Sequence, residues 1–175
     1  MFLVCKLAGA VFVMGAAGYF AVSMNQTLEN RNLELRKLYS ILIQLKSEIQ
    51  YMGNTLPESF QKLSAHTREP FSSWLNRITV KMEQKEESSF RDIWKEELEY
   101  LYEGSSLERD DIEPLQELSD KLGSMDVTAQ LKAIDYALLH IERNRSILEG
   151  ELSQRKKVVV TLSLFCGFMT LILLL

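Results

Sequence analysis

Two runs without a single charged residue stand at the two ends of this 175-residue chain. The first is residues 7–24 (LAGAVFVMGAAGYFAVSM), and the second is residues 158–175 (VVVTLSLFCGFMTLILLL). Each has 18 residues, which is near the minimum that crosses a hydrocarbon core of about 30 Å as a helix. Between them lie 19 of the 20 Lys and Arg residues and all 24 Asp and Glu residues. This partition predicts a membrane-bound chain with a polar middle, and it disfavours a purely soluble enzyme.

The N-terminal run has a competing interpretation as a cleaved signal peptide. Lys6 is the only charged residue before this run, whereas signal peptides usually begin with several basic residues. No A-x-A cleavage site follows the run, so we favour a retained transmembrane helix over residues 1–24. Basic residues flank the polar sides of both runs, above all Arg155, Lys156 and Lys157, where they would meet anionic membrane lipids. The positive-inside rule therefore predicts a cytoplasmic domain over residues 25–157 and a second transmembrane helix over residues 158–175.

The polar middle begins and ends with seven-residue apolar repeats. They predict two long helices, 25–52 and 127–157, each of which continues a membrane span. We expect the two helices to pair antiparallel through their apolar seams, although each seam has the alternative of packing on shorter helices. The N-terminal repeats are Leu28, Leu35, Leu42, Ile49 and Leu38, Leu45, Met52, interrupted by Arg31; the C-terminal ones are Leu131, Leu138, Leu152 and Ile134, Ile141, Leu148, interrupted by Arg145.

Helix-start signals divide the segment between the long helices. Thr55 to Glu58 forms a capping box that opens a helix through His66, Pro70 opens the next, and Ser89 caps a third. Asp110 or Asp111 opens a fourth, which reaches Leu122. The fold class predicted is all-α: two transmembrane helices flank a cytoplasmic helical bundle, in which two long antiparallel coiled-coil-like helices carry a cap of shorter helices.

Acidic residues are concentrated in the predicted cap. Residues 83–117 contain 13 acidic and four basic residues, a net charge of −9. This excess favours either a docking face for a basic partner or a solvated surface that keeps the domain soluble, and both interpretations stay open. The candidate docking residues are Glu96, Glu97, Glu99, Asp110 and Asp111.

The sequence lacks the motifs of the common enzyme classes. It contains neither a P-loop nor a GxGxxG turn after a strand, and its two histidines, His66 and His140, have no histidine partner at helical spacing. Both cysteines, Cys5 and Cys166, fall at or within the apolar ends. We therefore predict no enzyme activity, no cofactor and no metal. The acidic domain also argues against nucleic-acid binding.

Two motifs, with their order and spacing, resemble the stage III sporulation protein AB family. The first is Glu48-Ile49-Gln50-Tyr51 followed by Thr55-Leu56-Pro57-Glu58-Ser59-Phe60, and the second is Leu122-Gly123-Ser124-Met125-Asp126 with Gln130. The chain has Thr-Leu-Pro where the family usually has Thr-Pro-Leu. The resemblance covers nearly the whole chain. The motif positions Glu48, Tyr51, Gly123, Asp126 and Gln130 are interpreted mainly as structural, with Asp126 as a helix cap.

The resemblance implies a role in endospore formation, within the channel between mother cell and forespore. The protein would be a multi-pass cell-membrane platform with two spans and its domain in the mother-cell cytoplasm. Its helical domain would resemble those of inner-membrane platform proteins in type II secretion and type IV pilus systems. The implied partners are a hexameric secretion-type ATPase and other channel components, while homo-oligomer formation stays open. The alternative is a membrane-tethered coiled-coil scaffold or signalling adaptor unrelated to secretion.

Overall fold

The computed structural model describes residues 26–84, 89–123 and 126–174 of the chain. Helix α1 covers residues 26–47 and continues into a π-helical turn, Glu48–Met52. It is followed by α2 (Leu56–Ala65), α3 (Phe71–Glu83), α4 (Phe90–Glu103), α5 (Arg109–Leu122) and α6 (Val127–Leu174). These three ranges contain no strand, so the prediction of an all-α fold is confirmed.

The chain divides into two compact units. One is Arg31–Leu148, and the other is formed by the two ends of the chain, of which residues 26–30 and 149–174 are described. Among the described helices, none combines the length and the hydropathy needed to cross a bilayer. The first predicted span, residues 1–24, lies outside the described residues, and both spans stay predictions.

Reciprocal capping boxes start three of the short helices. The Thr55 amide and hydroxyl both donate to the Glu58 carboxylate at 2.9 Å, and Ser89 and Asp92 repeat the arrangement at the start of α4. At α5 the Glu108 amide donates to the Asp111 carboxylate at 2.9 Å. Because each box satisfies amides that the first helical turn leaves unpaired, these helix starts are encoded locally.

Most predicted seam residues of the long helices are buried, as the seven-residue repeats predict, whereas Leu28, Ile49 and Leu131 are partly exposed. Helices α1 and α6 run antiparallel: Lys46, near the end of α1, pairs with Asp135 at 2.5 Å, and Arg31, nearer its start, shares Asp111 as a partner with Asn144. We call residues 31–47 together with residues 127–148 the stalk. Its buried seam residues are Leu35, Leu38, Leu42 and Leu45 on α1 and Ile134, Leu138, Ile141 and Leu148 on α6.

An aromatic cluster forms the core of the short helices. Trp94 contacts the rings of Trp74, Phe60 and Phe90 at centroid distances of 5.3, 5.8 and 5.6 Å. Its indole N–H donates to the carbonyl of Leu115 at 2.7 Å, so the one polar atom of this side chain is satisfied inside the core. The cluster therefore joins α2, α3, α4 and α5.

Three details of the sequence interpretation are wrong. Met52, expected in the seam, is 65% exposed, because the wide π turn rotates it outward before Gly53 ends the segment at φ 62°. By sequence Gly123 suits the C′ position, one residue past the C-cap of the preceding helix, but it is itself the C-cap of α5, at φ −75°; a Cβ there would lie 3.2 Å from the Phe90 ring. The fourth short helix begins at Arg109, with Glu108 as its cap and Asp111 inside the first turn.

Removal of the Asp126 side chain should destabilise α6 at its start. Its carboxylate accepts the amides of Thr128 at 2.9 Å and Ala129 at 3.2 Å, which is N-cap geometry. We expect Asp126→Ala to lower the free energy of unfolding by about 1 kcal/mol in chemical denaturation followed by circular dichroism. Asp126→Asn preserves the acceptor and is the control. Equal stability of all three proteins would contradict the capping role.

Candidate functional site

The acidic residues of α4 are largely engaged in ion pairs. Glu97 is fully buried, and both of its carboxylate oxygens accept from Arg77, at 2.5 and 3.1 Å. Lys81 lies 2.7 Å from the carboxylates of both Glu97 and Glu96. The Arg77 guanidinium also lies over the Tyr100 ring, 4.1 Å from its centroid. Glu97 therefore ties α3 to α4 and presents no charge to a docking partner.

Desolvation and ion pairing act on Glu97 in opposite directions. Burial alone would raise the pKa of its carboxyl, but the hydrogen bonds from Arg77 and Lys81 outweigh burial, so the pKa lies below its ordinary value. The same pairing raises the pKa of Lys81 and of Arg77. The group is thus held as a carboxylate at neutral pH.

Glu99 forms a second ion pair at the surface. Both of its oxygens accept from the guanidinium of Arg109, at 2.7 and 2.6 Å. That guanidinium lies 3.9 Å from the ring centroid of Tyr102. The hydrogen bonds from Arg109 hold the pKa of Glu99 below its ordinary value. The pair links the end of α4 to the start of α5 and leaves the carboxylate half-exposed.

Asp111 is fully buried where α5 meets the stalk. Its Oδ2 accepts from Arg31 Nε at 2.7 Å and from the Glu108 amide at 2.9 Å, and its Oδ1 accepts from Arg31 Nη2 at 3.0 Å and Asn144 Nδ2 at 2.9 Å. We call Arg31, Asp111 and Asn144 the polar layer. Burial lowers the pKa of Arg31, but hydrogen bonding and charge pairing with Asp111 outweigh it, and the net shift is upward. Arg31 also binds Glu108 at 2.7 Å.

A further contact fixes the loop between α4 and α5 on the stalk. The backbone amide of Ser106 donates to the Glu34 carboxylate at 2.7 Å. Burial raises the pKa of this carboxyl, while the amide hydrogen bond opposes the rise. Together with the polar layer, this contact positions the start of α5 against α1.

The acids that remain available to a partner lie on the outer side of α5. Asp110, Glu113 and Glu117 are exposed and are spaced by three and four residues, so they share one helix face. We call these three residues the α5 acidic face. Glu113 and Glu117 form no ion pair within the described part of the chain, whereas Asp110 also contributes its backbone carbonyl to Asn144 at 3.0 Å.

The five candidate docking residues are therefore separated by the structure. Glu97 and Asp111 are buried, so a partner cannot reach their carboxylates. Glu96 and Glu99 carry surface ion pairs, and Asp110 is exposed on the α5 acidic face. Sequence reasoning missed Glu113 and Glu117 as individual candidates, although their helical spacing from Asp110 was a usable signal. The docking role itself stays a prediction.

The motif positions mostly make structural contacts. Glu48 accepts a hydrogen bond from Asn54 and lies 3.3 Å from Lys62. Gln130 is buried and donates to the Leu122 carbonyl at 2.8 Å. Gly123 packs against the Phe90 ring. Tyr51 differs from them, because 74% of it is exposed on the π turn. Of the basic flank, Arg155 and Lys157 are exposed, and the side chain of Lys156 is outside the described ones.

No metal-binding group emerges among the described residues. Over that part of the chain, no three His, Cys, Asp or Glu residues are placed to hold an ion. A shallow depression of about 270 Å³ lies between the end of α2 and α3, and its rim has no histidine and no cysteine. It is lined by Ser64, Ala65, Glu69, Ser72, Ser73 and Asn76.

Comparison with known proteins confirms the resemblance seen in the sequence. The family model described as stage III sporulation protein AB matches residues 6–175. Stage III sporulation protein AB of Bacillus subtilis (strain 168) is 25% identical over 169 residues, which cover 97% of this chain and 98% of that protein. A solved structure of a stage III sporulation protein AB aligns with a TM-score of 0.65 and 24% identity, covering 71% of this chain and 97% of the other.

The buried Asp111 carboxylate should matter far more for stability than its neighbour. Asp111→Ala leaves Arg31 without its main counter-charge, and we expect the free energy of unfolding to fall by about 3–5 kcal/mol. Asp110→Ala, one residue away and exposed, should change it by less than about 0.5 kcal/mol. Chemical denaturation of both variants measures the difference, and similar losses would contradict the role assigned to Asp111.

The stability contributed by Glu97 should depend on pH. Its folded pKa is below the unfolded value of about 4.3, so the stabilisation is present above that pH and disappears as pH falls through the folded pKa. Glu97→Gln should therefore lower the melting temperature at neutral pH, and the difference from the native protein should shrink in acid.

The matched control for this measurement is Glu103→Gln. Glu103 lies on the same helix, is exposed and has no ion pair among the described residues. Thermal melts in steps from about pH 7 down to about pH 2.5 should give this variant a nearly constant offset. A pH-independent offset for Glu97→Gln would mean that its ion pairs do not stabilise the fold.

Proposed function

This chain belongs to the stage III sporulation protein AB family, and from that premise we propose that it is a non-enzymatic platform of the channel between mother cell and forespore. In this role its helical domain binds a hexameric secretion-type ATPase and couples movement of the ATPase to the membrane part of the protein. The observation that carries the proposal is the α5 acidic face, an exposed row of carboxylates held on a rigidly fixed helix.

The contacts around α5 support a docking role for its outer side. The start of the helix is held by Asp111 inside the polar layer, and its preceding loop is held by Glu34. The inner side packs through Ile112, Leu115 and Leu118, which are all at most 1% exposed. An anchored helix loses little conformational freedom on binding, so a larger part of the interaction free energy is available as affinity.

The charge of the outer side indicates the kind of partner. Carboxylates already paired within the chain would have to break an ion pair to bind a partner, whereas Glu113 and Glu117 have none to break in the described residues. They are suited to a surface rich in Lys or Arg, with association that weakens as ionic strength rises. The family resemblance supplies the candidate, a secretion-type ATPase, and other channel components are further candidates.

We also propose that the charge-free runs 7–24 and 158–175 anchor the protein in the mother-cell membrane as a two-span protein. The support is the sequence partition together with Arg155 and Lys157, which are exposed beside the second run and can contact anionic lipid. The helical domain would then face the mother-cell cytoplasm, where an ATPase finds its nucleotide.

A second candidate function is a membrane-tethered coiled-coil scaffold. It is favoured by large apolar side chains on the outer faces of the stalk, among them Leu33 (56% exposed), Leu139 (69%) and Ile147 (54%). A scaffold of this kind would bind its partner along the stalk instead of at α5, and substitution of Leu139 and Ile147 by Ser would abolish that binding.

Charge reversal of the α5 acidic face tests the platform proposal. We expect Asp110→Lys, Glu113→Lys and Glu117→Lys together to weaken ATPase binding at least tenfold at low salt, since close charge pairs across interfaces contribute more than about 1.4 kcal/mol in total. Binding of the purified ATPase to the full chain in lipid nanodiscs, measured by interferometry at two salt concentrations, provides the affinities.

The control carries the same change of net charge elsewhere. Glu69→Lys, Glu83→Lys and Glu151→Lys replace three other exposed acids, and this variant should bind as the native protein does. If the two variants lose equal affinity, the effect is a general one of net charge. If neither loses affinity, α5 is not the docking surface.

A further inference from the structure

The apolar seams of the stalk do not by themselves fix the axial alignment of its two helices. On α1, Leu35 and Leu38 recur seven residues later as Leu42 and Leu45, and on α6, Ile134 recurs as Ile141 and Leu148. Sliding one helix by one repeat, about 10 Å, again places aliphatic side chains opposite one another. Burial of apolar surface therefore distinguishes these alignments only weakly.

One position in each seam breaks the repeat. Arg31 stands seven residues before Leu38, and Arg145 stands seven residues after Leu138, at the same end of the stalk. The Arg31 side chain is only 13% exposed and is bound bidentately by Asp111. Asn144, beside Arg145, donates to Oδ1 of the same carboxylate, which also accepts from Arg31 Nη2, and to the carbonyl of Asp110. A single carboxylate on α5 thus contacts both long helices.

The polar layer can form in only one alignment of α1 and α6. After a shift of one repeat, Asn144 would be about 10 Å from Asp111, and either Ala137 or Glu151 would take its place, neither of which can donate a hydrogen bond to the buried carboxylate. Losing a hydrogen bond to a buried charge is unfavourable, and the loss of the bond from Asn144 disfavours the shifted alignment by roughly 10- to 100-fold. Polar side chains inside otherwise apolar coiled-coil seams are known to specify register in this way.

We propose that the polar layer of Arg31, Asp111 and Asn144 is a register lock, which holds α1 and α6 in one axial alignment and ties both to α5. The lock makes the 31–148 unit resist sliding between its long helices. The register lock requires neither the ATPase nor the α5 acidic face, so it can be tested independently of the proposed function.

The lock can be tested by measuring a distance along the stalk. Spin labels on Lys37→Cys and Thr128→Cys, both exposed and on opposite helices, report the axial alignment of α1 and α6 in the full chain with Cys5→Ala and Cys166→Ala. Pulsed electron–electron double resonance on labelled protein in nanodiscs, diluted with unlabelled protein, gives the distribution of distances between the two labels. With the native polar layer we expect a single narrow distance.

The deciding variant is Asn144→Leu, which removes the side chain that joins α6 to Asp111 and leaves the pairing of Arg31 with Asp111 intact. We expect a second population displaced by about 10 Å, the length of one repeat. The apolar triple variant, Arg31→Leu with Asp111→Leu and Asn144→Leu, should fold because its layer is uniformly apolar, and should populate the shifted distance further. A single unchanged distance in Asn144→Leu overturns the proposal even if the triple variant fails to fold.

The matched control removes the other buried ionic cluster. Arg77→Leu, Lys81→Leu and Glu97→Leu also replace three polar residues by leucine, but they lie between α3 and α4. This variant should keep the single native distance. If it shows the shifted population as well, the shift reports general loosening and the polar layer is not a specific lock.

Discussion

A carboxylate with no access to solvent, that of Asp111, is the interaction on which the 31–148 unit depends. A buried charge is tolerated only when hydrogen bonds and counter-charges replace the water that it loses. Here four donors from three sources replace it: the guanidinium of Arg31, the amide of Asn144 and the backbone N–H of Glu108. The same contacts cap α5, join it to both stalk helices and leave its outer carboxylates facing solvent.

Because two of its acids are buried, the net charge of residues 83–117 overstates the negative charge that this segment presents to a partner. Residues 83–117 carry a formal net charge of −9, yet Glu97 and Asp111 take their counter-charges from Arg77, Lys81 and Arg31, which lie outside that segment. These two carboxylates therefore hold helices together and are not available to a partner. What remains for recognition is a narrower feature, the row on α5, and its position follows from the internal pairings.

Features with local or periodic causes were predictable from the sequence. The capping boxes at Thr55 and Ser89 and the buried repeats of both long helices follow from short-range chemistry and from the seven-residue pattern. The partners of Glu97 and Asp111 lie 20 and 80 residues away, so no local rule assigns them. Arg31 was visible only as an interruption of its repeat. The close packing of Phe90 on Gly123 was likewise hidden, since no local rule brings these two residues together.

The stalk also has a consequence for the synthesis of the chain. Lys46 and its partner Asp135 are separated by 89 residues, so α1 is complete long before the helix that covers its seam exists. At ordinary translation rates this interval lasts roughly ten seconds, during which Leu35, Leu38, Leu42 and Leu45 have no α6 to pack against. The capping boxes of the intervening helices let that segment fold as it emerges, which shortens the effective loop that α6 must close when it arrives.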